Sequence, residues 1–185
     1  MEVVMIPNNL QNNKTPFRII QSSLIGIPSP SALKLDNFPG VTIGSDPAIG
    51  KQCIIFGNVF IGNRFRCGDN VFIRENTSVG DDVIIGNRSC VESNVMIADR
   101  VTIGDNVIVP SFTRIGRQVC ISSNVQLLTG PSTASGRTRG IILEDNCVIG
   151  KNAVIGPCTC IGANAIVDDN AVITVNVPGR SLQSP

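Results

Sequence analysis

The chain has 185 residues, with 15 basic and 14 acidic side chains and no histidine. A net charge of +1 leaves no basic excess for a nucleic-acid partner, and the missing histidine excludes both an imidazole base and His-ligated zinc. Charged residues make up 16%, while Ile and Val number 25 and 20, a composition that favours strands. The seven cysteines are odd in number and form no paired framework; Cys158 and Cys160 make a lone Cys-x-Cys without the spacing of a zinc or redox pair. A reduced, cytoplasmic setting and no bound metal are expected. The N-terminus has an acid at position 2 and an apolar run that stops at Pro7, unlike a signal peptide, and no stretch reaches the length of a membrane span.

Residues 1–42, with Pro7, Pro16, Pro28, Pro30 and Pro39, follow no period and are expected to cover the first coil of what comes next. From Ile43 a step of six meets Ile49, Ile55, Ile61, Cys67, Ile73, Val79, Ile85, Val91, Ile97, Ile103, Val109, Ile115, Ile121 and Leu127. The step breaks there and resumes at Leu143, Ile149, Ile155, Ile161, Val167 and Ile173, so 20 of 21 positions are large aliphatics. Gly follows the aliphatic at 11 of 21 places, and Asn stands three after it at 11 of 21. Both tolerate φ > 0, so each hexad is expected to carry its own turn. The residue four after the aliphatic is mostly small or β-branched, as at Val71, Val83, Val95 and Ala153. It lies two from the next aliphatic, so the two share one face of a short strand.

Such a unit buries its apolar face only by stacking, which predicts a parallel β-solenoid. A β-sandwich would need turns every 8 to 12 residues, against the step of six seen here. The hexad I-G-x-N-V-x resembles the hexapeptide-repeat family. That resemblance implies an all-β fold, a left-handed parallel β-helix with three hexads per triangular coil, over residues 43–178, with a short tail at 179–185. Five coils would precede the break and two follow it. The resemblance further implies a homotrimer and an acyltransferase using acetyl-CoA or another acyl-CoA.

Two interruptions mark candidate chemistry, because a loop leaving a regular wall gives up ladder hydrogen bonds. The first inside the wall is Phe65-Arg66-Cys67-Gly68-Asp69-Asn70-Val71-Phe72-Ile73-Arg74-Glu75-Asn76. It resembles a segment of the sugar N- and O-acetyltransferase branch, F-R-T-G-H-N-V-L-I-R-E-N, with Asp69 where that branch has its catalytic His. Asp69 and Glu75 are the candidate catalytic residues, and Arg74 and Asn76 candidate acceptor contacts. A base works best with a pKa near neutrality, which an ordinary aspartate lacks. The plain alternatives are a turn residue at 69, as at Asp81, Asp105, Asp145 and Asp169, and a surface ion pair of Arg74 with Glu75. Cys67, with no His to hold a thiolate, reads as a small core hydrophobe.

The second interruption is the loop 128–142, which carries three glycines, Pro131, Arg137 and Arg139. By the resemblance it frames the acceptor pocket, and its arginines suit an anionic acceptor such as a sugar nucleotide; a tolerated insertion is the alternative. The return, Gly140-Ile141-Ile142-Leu143-Glu144-Asp145-Asn146 with Val148-Ile149-Gly150, is similar to the family's segment from loop to wall. The resemblance also implies a donor groove along the last coils, with Gly150, Gly156, Gly162 and Ala163 allowing close approach and Lys151 and Arg180 meeting phosphates. Two functions stay open at this level: an acetyl-CoA-dependent transferase acting on an amine or hydroxyl of a sugar or sugar nucleotide, and a noncatalytic trimeric scaffold or binding protein lacking the family's His.

Overall fold

The computed structural model describes residues 18–19, 23–27, 40–130 and 140–180. Arg137 and Arg139, with most of residues 1–42 and the tail beyond 180, lie outside the described residues. All regular structure among the described residues is β: short strands arranged in three parallel sheets of eight, eight and seven strands. The chain visits the sheets in rotation, so that Ile84–Ile85 pairs with Thr102–Ile103 one coil later and Arg66–Cys67 one coil earlier. The result is a left-handed parallel β-helix of about seven turns.

The register explains the column. Stacked strands place like residues over like, so the inward aliphatics form ladders, and Ile49, Ile55, Ile73, Ile85, Ile103, Ile121, Ile149 and Ile155 are at most 1% exposed. Cys67, the one departure, is half-buried against this core, and its Sγ lies 3.9 Å from that of the fully buried Cys53. Before residue 40, Arg18–Ile19 and Leu24–Ile27 add in parallel to Ala48–Ile49 and Ile54–Phe56. The three sheets meet at three corners. The first corner follows Ile49, Cys67 and Ile85; the second follows Ile55, Ile73, Val91 and Val109; the third follows Ile61, Val79 and Ile97.

The turn chemistry divides between two columns in a way the hexad alone does not show. The residue three after each aliphatic is the left-handed one: nineteen non-glycine residues, from Asp46 to Asn170, have φ between 52° and 64°. The glycine column does not share that conformation, and among the described residues only Gly26 is a glycine with positive φ. Those glycines are needed because the next coil comes too close. A Cβ on Gly44 would sit 2.6 Å from Asn63 Oδ1, and one on Gly150 2.6 Å from Asp169 Oδ1.

Candidate functional site

At most of these glycines a side chain of the next coil fills the space and closes a hydrogen-bond ladder. At the first corner Lys51 N donates to Asp69 Oδ1 (2.8 Å), Asp69 N to Asn87 Oδ1 (2.9 Å), and Asn87 N to Asp105 Oδ1 (2.6 Å). At the third corner Ser45, Asn63 and Asp81 donate in the same way to Asn63, Asp81 and Asp99. Each coil thus caps the turn of the coil before it. Asp69 is a rung of this ladder, half-buried, with its carboxylate held by a backbone N–H.

The second corner lacks the device. Where the other two have Gly at ten of fourteen first-turn positions, this one has Phe56, Arg74, Glu92, Pro110, Leu128, Gly156 and Thr174. With the caps gone, side chains are free for other partners. Ser93 Oγ donates to Glu75 Oε1 (3.2 Å) and Arg74 lies 3.4 Å from the same oxygen. One coil on, Ser111 Oγ donates to Glu92 Oε2 (3.0 Å), while Thr77 Oγ1 donates to the Glu92 carbonyl (3.0 Å). Glu75 is 15% exposed, and its Oε2 is buried without a partner. The other two buried, unpartnered side-chain oxygens among the described residues, on Thr113 and Thr159, belong to this same corner.

The loop anticipated at 128–142 leaves and rejoins the wall here. Its base, Leu128 to Gly130 and Gly140, stands over Pro110, Ser111, Phe112 and Glu92, and these residues enclose a cavity of about 260 Å³. A second hollow of about 660 Å³ lies on the far side of Phe112, lined by Asn94, Met96, Arg114, Ile142, Cys158, Cys160 and Asn176. A third, of about 450 Å³, runs from Glu92 along Ile108 and Gln126 to Thr129. Burial pushes the nearby Cys90 and Cys160 thiols up, helped by the Glu92 and Glu144 carboxylates respectively, so neither is a ready nucleophile.

Arg74, Glu75, Asn76 and the loop base therefore share one corner, and Asp69 sits on another, across the strand Phe72–Ile73. Asn76 has φ 59° and accepts from Asn58 Nδ2 (2.5 Å). The anticipated donor residues do not gather at one place: Gly150 and Lys151 lie at the first corner, Gly156 at the second, Gly162 and Ala163 at the third. Arg180 joins the last pair, its N–H donating to the Ala163 carbonyl (2.8 Å). Ala163 borders a groove of about 540 Å³ across the outer face of the third sheet, with Met96, Arg114, Ile142 and Glu144. Sequence reasoning missed Glu92, Ser93, Ser111 and Phe112. Their signal was present as non-glycine residues every 18 positions, 56, 74, 92, 110 and 128.

Repeat, register and stacked corners together define a left-handed parallel β-helix built on a six-residue repeat. Residues 66–99 match the family described as bacterial transferase hexapeptide (six repeats). No curated protein matches this chain. Similar solved structures include the UDP-N-acetylglucosamine acyltransferase of Francisella novicida (20% identity, 81% of this chain and 58% of that one, TM-score 0.33). They also include LpxA, the UDP-N-acetylglucosamine O-acyltransferase of Moraxella catarrhalis (15%, 87% and 63%, TM-score 0.40). The polysialic-acid-specific acetyltransferase NeuO matches at 20% identity over 75% of each chain, TM-score 0.34. This chain spans less than two thirds of the first two, and these likenesses are of fold alone.

Proposed function

We propose that this protein is an acyl-CoA-dependent acyltransferase, taking acetyl-CoA as donor and an amine or hydroxyl of a sugar or sugar nucleotide as acceptor. The observation that carries the reading is Glu75: a carboxylate oxygen left buried and unpartnered at the one corner where the cap ladder is absent. Buried polar atoms in native folds are nearly always paired, so an orphan carboxylate oxygen points to a missing hydrogen-bond donor. In this reading Glu75 holds the acceptor's N–H or O–H. Ser93 and Arg74 fix its other oxygen.

Holding the acceptor against the thioester supplies most of the acceleration. As the acceptor's lone pair forms the new C–N or C–O bond, its proton passes to Glu75; the C–S bond breaks, and the leaving thiolate of CoA recovers the proton. A carboxylate is a weak base, so an amine already neutral at the working pH is the better acceptor. Asp69, already engaged by Lys51 N, is assigned to the ladder and not to the proton. Asn76 belongs to the acceptor side of the site, as do Arg137 and Arg139 of the loop. Ala163 borders the donor groove, with Gly162 and Arg180 at the same corner, and Gly150, Lys151 and Gly156 belong to other corners of the last coils. A homotrimer is part of the reading, supported by Phe60, Met96 and Ile142, exposed in one column of the third wall with Ser78 and Arg114 between them. So is a reducing cytoplasm, supported by an odd count of seven cysteines without paired spacing.

Titration calorimetry with acetyl-CoA, and with desulfo-CoA as control, tests the donor. Micromolar binding at one site per subunit is expected, and no binding would shift the weight to a noncatalytic solenoid, which the zero histidine count favours. Glu75→Gln should bind acetyl-CoA as before and lose transfer at least 100-fold, the scale of a positioned proton acceptor.

A further inference from the structure

We infer that Phe112 is the platform on which the pyranose ring of the acceptor stacks; this rests on the acyltransferase reading and names the residue that selects its substrate. Of the nineteen left-handed non-glycine residues, seventeen carry Asn, Asp, Gln or Arg, and only Phe112 (φ 64°) and Cys158 (φ 58°) do not. A bulky side chain in that region is strained, and Asn relieves the strain, as the same corner shows at Asn58, Asn76 and Asn94. Core packing does not repay the strain, because the ring is 45% exposed.

The backbone nevertheless has no freedom to relax. Phe112 N donates to the Ser93 carbonyl (3.3 Å), and Gly140, at the loop base, lies so close over the Phe112 carbonyl that no Cβ would fit. Strain held in place by its surroundings is a mark of a working position. The ring stands between the 260 Å³ and 660 Å³ cavities, with Glu92 and Ser111 on one side and Asn94 and Asn176 on the other. An aromatic face flanked by a carboxylate and carboxamides suits a sugar: the ring's C–H face stacks, and its hydroxyls donate to Glu92 and exchange hydrogen bonds with the amides. On the loop side a phosphate would meet the Glu92 charge, whereas on the far side Arg114 would receive one.

Saturation-transfer NMR tests this with glucosamine and with UDP-N-acetylglucosamine, using wild type, Phe112→Tyr and Phe112→Asn. Wild type and Phe112→Tyr should transfer saturation to the pyranose ring protons. Phe112→Asn should lose that transfer while its Tm rises by about 2–4 °C, the shift expected for relieving modest strain in a chain of this size. Neither sugar receiving saturation from the wild type, transfer confined to the uracil, transfer unchanged in Phe112→Asn, or a Tm that does not rise would each overturn the inference. If Phe112→Asn abolished saturation of the pyranose protons while the wild type showed no acyl transfer, the proposed function would fall and Phe112 would stand as a sugar-binding platform without an acceptor role.

Discussion

Lys51 N donates to Asp69 Oδ1 across 2.8 Å, from one coil to the next, so Asp69 caps the turn of the neighbouring coil. Asn accepts the same hydrogen bond. Asp69→Asn should therefore change stability by less than about 0.5 kcal/mol, whereas Asp69→Ala should cost about 1 kcal/mol, the usual loss for a capping side chain. Urea unfolding of the three proteins checks this, and an Asp69→Asn variant that folds normally but has no transferase activity would return the catalytic role to Asp69.

The same ladder makes its glycines intolerant. A Cβ on Gly62 would lie 2.6 Å from the Gly80 carbonyl carbon and closer still to Asp81 Oδ1. Backbone cannot yield as a flexible side chain would, so Gly62→Ala should destabilise by about 1–3 kcal/mol, in the manner of overpacking. Thermal unfolding measures it; a neutral result would mean that adjacent coils can slide apart without loss.

Acid should weaken the third corner in a defined window. The Asn63 N–H donated to Asp81 holds that carboxyl below its ordinary value of 3.8, and the Arg64 guanidinium does the same for Asp82. A group with a depressed folded pKa contributes stability above its unfolded value, and that contribution is lost as pH falls through the folded one. Tm should therefore drop as pH falls below about 4, and less steeply in Asp81→Asn, which keeps the acceptor but does not titrate. Equal slopes in the two proteins would remove Asp81 from the acid response.

Position along the helix should scale the cost of core truncation, because each coil contacts only its neighbours. Ile103 is 1% exposed between coils on both sides, while Ile173, in the last coil, is only partly buried. Ile103→Ala should cost about 2–5 kcal/mol and Ile173→Ala distinctly less. Denaturant titration of both gives the comparison, and equal costs would imply that the terminal coil is covered.

Much of the fold was legible because its information is local and repeated. The aliphatic every six residues, from Ile43 to Ile173, sets the inward face, and its recurrence sets the stacking. The glycine column was visible too, yet its reason was not: Gly62 and its counterparts are required by the approach of the next coil and not by φ. Glu75 was legible as a candidate through its segment, whereas Glu92, Ser93 and Ser111 were not, since no short motif surrounds them.

The sequence by itself determined the solenoid, the place of the loop and the absence of histidine chemistry, because period and composition need no knowledge of distant contacts. Tertiary structure decided which of the three corners is free of the cap ladder. It also decided that Asp69 is engaged in that ladder while Glu75 keeps an unpaired oxygen, and that Phe112 is held strained in the open. Those facts depend on which residues meet across 18 positions of chain, and on how closely two backbones approach.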